Sequence, residues 1–564
     1  MKKVIYLMLR RMRLPLIVLI SVYAISILGM TLIPGVDDQG NPWRMDFFHA
    51  IYFVSFLGST IGFGEIPYPF TDAQRMWTTF VIYAAVVSWL YAIGSILTLV
   101  QDQAFRHVLQ FSAFTRKVRR LQEPFYIICG YGDAGRTLVR ELSEHHIASV
   151  VVDHDREKIL ELEVEDLPFY VPGLYEDATD SNTLIAAGLK HLRCRGVIGL
   201  TGDDDANLTI AITSKLLAPE VPVICQSDSV DTALNMDSFG TDHIVDPFRI
   251  FASRLTMMFH SPSMYLVYEW ITAIHNTQLS DFRNPPPGTW VLCGFGRFGK
   301  AVRESIAGEG IETRLIEADP EVTGAPLNTI VARGTEADTL QEAGIDDAVG
   351  IIVGTDKDTN NLSILITARD LNPDIFTVVR QNHLNRNAIF EAAHIDIVMQ
   401  PGTITAQYIL GLILAPLLDD FLHQANEKGE EWANLLVSKV AGLVEDAVAP
   451  ETWDLEISPL QSPAVFDYLI RDEQVLLGEV CARPHNRDER LPCIPLLIKR
   501  DDQDLLLPEM DEPLQAGDHI LFCGRTEATR QMRHTVNDHQ VLDYVHTGID
   551  QPGGSLWRWL TGTR

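Results

Sequence analysis

Basic residues are scarce in this 564-residue chain, with 45 Lys and Arg against 75 Asp and Glu and a formal charge of −30. A nucleic-acid binder needs Lys and Arg to neutralise phosphates, so that class is excluded. An acidic body of this kind attracts cations instead. Cysteine is sparse as well: seven occur, none before Cys129 and none spaced as C-x-x-C. An odd count in a long chain indicates reduced cytosolic thiols rather than a disulfide framework or a zinc site. Cys129 and Cys293 each stand directly before a glycine motif and are expected in buried strands. Charge is absent altogether from residues 14–33 and 76–100. The first run is longer than a secretory signal core, and Thr31-Leu32-Ile33-Pro34 does not form a small-residue cleavage site. Both runs are therefore expected to cross a bilayer. The length itself implies three or four domains.

The flanks orient the two spans. Lys2, Lys3, Arg10, Arg11 and Arg13 precede the first, and Arg106, Arg116, Lys117, Arg119 and Arg120 follow the second. The loop between them carries Asp37, Asp38, Asp46, Glu65 and Asp72 against Arg44 and Arg75. By the positive-inside rule the loop is external and both termini are cytoplasmic, in a cell inner (plasma) membrane. Residues 46–57 of that loop are apolar and helix-length but too short to span, the size of a re-entrant helix. Gly58-Ser59-Thr60-Ile61-Gly62-Phe63-Gly64-Glu65 comes next. Irregular backbone at membrane depth is tolerated where it lines a cavity. A strand that points successive carbonyls one way needs unusual dihedrals, which Gly62 and Gly64 supply, and stacked carbonyls can replace an ion's water.

Thr60-Ile61-Gly62-Phe63-Gly64 resembles the T-V-G-Y-G filter of potassium channels, with Ile for Val and Phe for Tyr, substitutions that family uses. The resemblance implies that the carbonyls of Thr60, Ile61, Gly62 and Phe63, with the Thr60 hydroxyl, coordinate potassium ions in the pore. One loop makes a quarter of such a ring, so a homotetramer in the lipid bilayer is expected. Glu65 stands where the family usually has Asp, which keeps the charge and changes the bracing. Phe63 lacks the hydroxyl that helps hold the filter. Gly94 lies in the inner half of the second span, either as a gating hinge or as a small residue for close helix packing.

The rest of the chain contains itself twice. Phe125-Tyr-Ile-Ile-Cys129-Gly130-Tyr131-Gly132-Asp133-Ala134-Gly135-Arg136 matches Trp290-Val-Leu-Cys293-Gly294-Phe295-Gly296-Arg297-Phe298-Gly299-Lys300. Each is an apolar strand, a G-x-G-x-x-G turn and an amphipathic helix, followed by a strand ending in Asp153 or Glu317. The spacings agree, 153 − 130 and 317 − 294 both giving 23. Thr201 to Asn207 aligns with Thr355 to Asn361, and Pro247 with Pro401, at a constant offset of 154. In this context the pattern indicates two Rossmann-type units, whose glycines admit a pyrophosphate to a helix N-terminus. The carboxylates of Asp153 and Glu317 are placed for ribose hydroxyls, which favours NAD or ADP/AMP over a 2′-phosphorylated nucleotide. Arg297 and Lys300 give the second loop more positive charge than Asp133 and Arg136 give the first, so the second site is expected to hold phosphate more strongly. The competing reading is a scaffold whose sites stay empty.

These repeats resemble the RCK (KTN, TrkA-N type) domains that regulate potassium conductance. The second copy has the Gly334-Thr335-Glu336-Ala337-Asp338-Thr339-Leu340 pattern, where the first begins at Glu176 in place of Gly. Arg380 occupies the family's strand-end Arg, and Gln226 replaces it in the first copy. The resemblance implies crossing helices after each unit, a small TrkA-C-like subdomain carrying Leu514-Gln-Ala-Gly-Asp518, and a gating ring of eight such domains per tetramer. The expected organisation is a pore domain at 1–101, a linker at 102–123 and a first Rossmann-like domain at 124–246. Crossing helices and a proline-stiffened linker at 247–284 lead to a second Rossmann-like domain at 285–400. Crossing helices at 401–434, a C-terminal subdomain at 435–545 and a tail at 546–564 complete it. The fold class is multi-domain: an all-α transmembrane pore of two spans and a re-entrant helix, two α/β units and an α+β subdomain.

A ligand-gated potassium channel is the function these features imply. A membrane-tethered NAD-dependent oxidoreductase finds no His–Asp or Tyr-x-x-x-Lys constellation near either glycine loop, so no enzyme is expected. A non-selective or sodium channel is disfavoured by the filter sequence. Calcium is a candidate ligand through Asp203, Asp204 and Asp205, or near Glu161, Glu163, Glu165 and Asp166, since calcium takes several oxygens. A solvated acidic face, or carboxylates capping the next helix, explains the same residues.

Overall fold

The computed structural model describes residues 2–64, 66–272, 283–443, 448–501 and 503–549. The chain divides into two compact units, residues 1–120 and 121–564.

The first unit holds α1 (Lys2–Leu32), α2 (Phe47–Gly58), α3 (Asp72–Gln101), α4 (Gln103–Val118) and, between α1 and α2, a short antiparallel hairpin of Gly35–Val36 with Pro42–Trp43. Among the described residues two helices are each long and apolar enough to cross a membrane, Met12–Leu32 within α1 and α3 itself. α3 starts at a capping box, in which Thr71 and Gln74 satisfy each other's backbone N–H groups. α1 and α3 approach closely because Gly29 has no side chain. A Cβ there would come within 2.1 Å of the Trp77 ring, whose indole N–H donates to the Ser26 carbonyl at 3.3 Å. α2 is capped by Asp46, which accepts from the His49 N–H at 2.8 Å. It buries Ala50, Phe53, Val54 and Phe56 against Met30, Val81 and Ala85. Leu14, Ile17, Ile20, Phe80, Tyr83 and Leu90 remain exposed on the spans. In place of the linker expected at 102–123 stands helix α4, capped by Asp102, whose carboxylate accepts from the Phe105 N–H at 2.9 Å.

The second unit opens with β1 (Phe125–Cys129), α5 (Asp133–Glu144), β2 (Ala148–Asp153), β3 (Gly173–Tyr175), β4 (Cys194–Gly199), α6 (Asp204–Leu217), β5 (Val223–Gln226) and β6 (His243–Val245). All pairs in this sheet are parallel, in the order β3-β2-β1-β4-β5-β6. Two helices follow, α7 (Pro247–His260) and α8 (Pro262–Thr272). The pattern then repeats: β7 (Thr289–Cys293), α9 (Arg297–Ala307), β8 (Glu312–Glu317), β9 (Ile330–Val331), β10 (Gly350–Val353), β11 (Phe376–Arg380) and β12 (Ile397–Met399). The second sheet has the same parallel order, β9-β8-β7-β10-β11-β12. This is the doubly wound arrangement, with its switch point between the first and fourth strands of each sheet. The sequence reads as buried parallel strands because both faces are covered; Ile127, Ile128, Val150, Val151, Val291 and Leu292 are fully buried. Cys129 and Cys293 lie in these strands, where burial pushes the Cys293 thiol up to about 12 and the Cys129 thiol higher still.

The helices after the two sheets exchange partners. α7 packs on α9 of the second copy through Phe248, Phe251 and Phe298. Helix α10 (Pro401–Leu414) packs on α5 of the first copy through Ala406, Ile409 and Leu410. α10 and α11 (Leu417–Asn426) meet at 109°. Residues 273–282, part of the expected helical stretch and linker, lie outside the described residues, as do Glu65 and the tail from 550. The C-terminal sheet, β13 (Glu451–Glu456), β14 (Cys493–Arg500), β15 (Gln503–Leu506) and β16 (His519–Gly524), is antiparallel in the order β13-β16-β14-β15. Residues 435–441 belong instead to the helix Glu430–Ala441, which packs on α8. Asp518 is fully buried beneath the Leu514–Asp518 turn, where Arg500 donates to both its oxygens at 2.8 and 2.9 Å.

Candidate functional site: a pore loop and two glycine clefts

The pore loop leaves α2 at Gly58, and its backbone dihedrals alternate. Thr60, Gly62 and Gly64 have φ of 61°, 65° and 72°. In an ordinary extended strand successive carbonyls point to opposite sides; a left-handed residue at every second position turns them toward one side. For the β-branched Thr60 that conformation costs about 1–3 kcal/mol, a strain that persists only where the surroundings impose it. The Ile61 and Gly62 N–H groups both point back to the Phe56 carbonyl, at 3.1 and 3.4 Å. Among the described residues, chain neighbours aside, nothing lies within 4 Å of a Cβ built on Gly62 or Gly64, and Ile61 and Phe63 are 61% and 68% exposed. One protomer thus forms a single wall. Gly94 sits in continuous helix with nothing within 4 Å, so it packs against no neighbour in the protomer. The Ser95 and Thr98 hydroxyls donate to the carbonyls of Tyr91 and Gly94, a back-bonding that bends helices.

The glycine loops are built alike. Gly130 and Gly294 have φ of 107° and 96°, where a side chain is strained. A Cβ on Gly135 or Gly299 would come within 2.1 Å of the carbonyl of Gly130 or Gly294. The middle glycines differ: Gly132 and Gly296 have ordinary φ of −80° and −69°, and a Cβ there would meet nothing within 4 Å. Neither packing nor conformation calls for glycine at these two positions; a pyrophosphate can lie against such a backbone only where the cleft in front of it is open. α5 and α9 begin at these glycines with no side-chain cap, leaving N–H groups free for an anion.

Asp153 and Glu317 carry a task the spacing alone did not reveal. Asp153 accepts from the N–H of Tyr131 at 2.6 Å and of Asp155 at 2.7 Å. Glu317 accepts from Phe295 at 2.5 Å and Asp319 at 2.9 Å. Each buried carboxylate braces its glycine loop and keeps lone pairs for a ribose hydroxyl. Asn207 and Asn361 brace the opposite wall. Each accepts from the N–H of Thr201 or Thr355 at 3.0 Å and donates to the strand-end carbonyl of Gln226 or Arg380. The repeat displayed these asparagines, but only the fold shows that they tie the fourth strand to the fifth.

The first cleft encloses about 730 Å³ between Gly130, Gly132, Asp153, Lys158, Thr201 and Gln226, and residues of the second copy complete it. Asn382 and Gly402 line it, and Asp133 accepts from the Leu384 N–H at 3.2 Å. Sequence reasoning missed these residues, which lie some 250 positions away. Arg136, expected at phosphate, is paired with Glu161 and stacks on Tyr131. In the second copy Phe298 is fully buried against Gly354 and Phe251, which corrects its expected place at the ligand. Arg297 is paired with Asp228 at 2.7 Å, and the Lys300 ammonium lies 5.7 Å from the Phe295 ring centre. Arg380 reaches Asp356 at 3.0 Å and stacks on Phe248 at 4.8 Å; burial lowers its pKa.

The expected metal set Asp203, Asp204 and Asp205 is corrected. Asp203 caps α6, accepting from the Asp205 and Ala206 N–H groups at 2.9 and 3.5 Å, and Asp204 turns to the Asp228 N–H at 3.0 Å. Among the described residues no three His, Cys, Asp or Glu converge as a metal site. Capping explains the carboxylates because a helix start leaves orphan N–H donors.

Family models agree with this geometry. An ion channel model matches residues 16–102, and the TrkA-N domain model matches residues 126–247 and 290–401. The chain joins a two-span ion channel module to two TrkA-N domains. Potassium channel protein 1 of Methanocaldococcus jannaschii is 26% identical over 219 residues, 39% of this chain and 64% of that protein. A Trk system potassium uptake protein TrkA homolog of Pyrococcus horikoshii is 31% identical over 136 residues, 22% of this chain and 60% of that protein. The chain spans 34–64% of the length of the first curated relatives it matches. The solved GsuK channel aligns over 95% of this chain and 99% of its own, at 18% identity and a TM-score of 0.49.

Proposed function

We propose that this chain is a subunit of a homotetrameric, potassium-selective channel whose TrkA-N domains bind an adenine nucleotide (ADP, AMP or NAD) and thereby set the opening of the pore. The alternation of left-handed backbone at Thr60, Gly62 and Gly64, at the end of the short buried helix α2, carries this reading. Four such walls make a column of carbonyl rings that replaces an ion's hydration shell. The first cleft supports the nucleotide half. It combines an uncapped helix start, a middle glycine with open space before it and a loop-bracing carboxylate. A ligand gates only if it binds two arrangements unequally. The first cleft is suited to that, since its walls come from both copies and a ligand there senses their separation. The basic flanks of the two spans support cytoplasmic termini. Gly62→Ala tests the pore assignment. With φ at 65°, alanine is strained there, and current should vanish while the tetramer remains intact by size exclusion. Full current through that variant would refute it.

A further inference from the structure

The two clefts are related by the exchange of helices, so equivalent positions compare directly. At the offset of 154, Gly402 corresponds to Phe248, Asn382 to Asp228 and Gln226 to Arg380. Ala134 and Phe298 both precede the third glycine of their loops. The first cleft thus has Gly, Asn, Gln and Ala where the second has Phe, Asp, Arg and Phe.

In the second copy these four side chains occupy one another. Phe248, on α7, is 3% exposed and lies against Phe298, ring centres 6.2 Å apart. The guanidinium groups of Arg297 and Arg380 sit 5.5 and 4.8 Å from the same Phe248 ring. Each also holds a carboxylate, Arg297 that of Asp228 and Arg380 that of Asp356. A phosphate arriving here would have to displace Asp228 and disturb a stacked, largely desolvated arginine. The first copy offers the opposite. Gly402 carries no side chain into the cleft, and a Cβ there would press on the start of α5, 3.0 Å from the Ala134 nitrogen. That close approach brings the start of α10 onto the start of α5, and neither helix has a side-chain cap. Two positive helix ends therefore meet at one cleft, with Lys158 in its wall.

We infer that only the first cleft takes a nucleotide and that the second is filled by its own chain, through Phe248 and Asp228, so that each protomer binds one adenine nucleotide. This rests on the nucleotide reading above and reverses the preference that loop charge alone suggests. Arg297 of the second loop instead locks the two copies together, through Asp228 and Phe248.

The test uses full-length protein stripped of nucleotide and reconstituted in lipid nanodiscs, titrated calorimetrically with ADP, AMP and NAD in turn. Wild type should take one equivalent per chain. Gly132→Leu and Gly296→Leu place a bulky group where a pyrophosphate would lie. Both should fold, because no protein atom lies within 4 Å of either Cβ position and both φ values suit any residue. Gly132→Leu should abolish binding, and Gly296→Leu should retain the single equivalent. Two equivalents in wild type, or loss of binding in Gly296→Leu alone, would overturn the inference and leave the nucleotide reading standing. No binding of any of the three by wild type would overturn both.

Discussion

Asp153→Ala should cost stability and ligand together, and the structure gives the size of the effect. The carboxylate is 3% exposed and accepts two backbone N–H groups, from Tyr131 at 2.6 Å and Asp155 at 2.7 Å. Each donor left buried without a partner costs about 1–3 kcal/mol. The loss is therefore about 2–6 kcal/mol, before any ligand is considered. At about 2–4 °C per kcal/mol for a large domain, the first unfolding transition of residues 121–564 falls by about 4–24 °C. Differential scanning calorimetry without nucleotide reads this directly, and ADP titration of the same sample reads affinity. Were Asp153 only a ribose reader, affinity would fall and the melting temperature would stay put. A melting temperature within 1–2 °C of wild type, on the scale set by that conversion, would refute the bracing role.

Three further outcomes are expected. Asn361→Ala removes a fully buried amide that holds Thr355 and the Arg380 carbonyl, and should destabilise by about 2–4 kcal/mol in urea; a smaller effect than an exposed control would contradict the tie. Burial pushes Asp454 up to about 7; one oxygen accepts from the Leu417 N–H at 3.3 Å at the α10–α11 bend and the other has no partner. Its folded-state pKa lies above the unfolded value, so the stability this carboxyl contributes is fully present below about pH 4, is lost as pH rises and levels off above about pH 7, by at most about 4 kcal/mol. Asp454→Asn should flatten that slope between pH 4 and 7, and an unchanged slope would show that other groups set it. Gly94→Ala adds a methyl where nothing lies within 4 Å, so it should leave selectivity intact and lower open probability by stiffening α3; unchanged single-channel gating would remove Gly94 as a hinge.

The features legible in sequence were those whose physics is local. Uncharged runs, a glycine turn after an apolar strand and a carboxylate 23 residues on each declare themselves within one stretch of chain. The α2 helix and the filter backbone followed from length and glycine placement. Long-range packing was hidden. Phe298 looked like a loop residue, yet α7 from the other copy covers it, and nothing near position 298 announces that. Asn382 and Gly402 reach the first cleft only because the crossing helices exchange. Charge counting misread the second loop for the same reason: Asp228 neutralises Arg297 from 69 residues away, since 297 − 228 = 69. The aspartates 203–205 looked like a ligand cluster because spacing cannot separate a helix cap from a metal site. The segment 102–123 is polar enough to suggest a linker, yet the Asp102 cap and an apolar stripe make most of it the helix α4.

Reversal potential in planar bilayers tests the central claim most directly. With purified protein under opposed potassium and sodium gradients, a column of Thr60 to Gly64 carbonyls should set the zero-current voltage. It should lie at the potassium equilibrium potential and move by about 59 mV per tenfold change in potassium, the Nernst slope that corresponds to about 1.4 kcal/mol for one charge. A zero-current voltage that follows sodium equally would contradict the account.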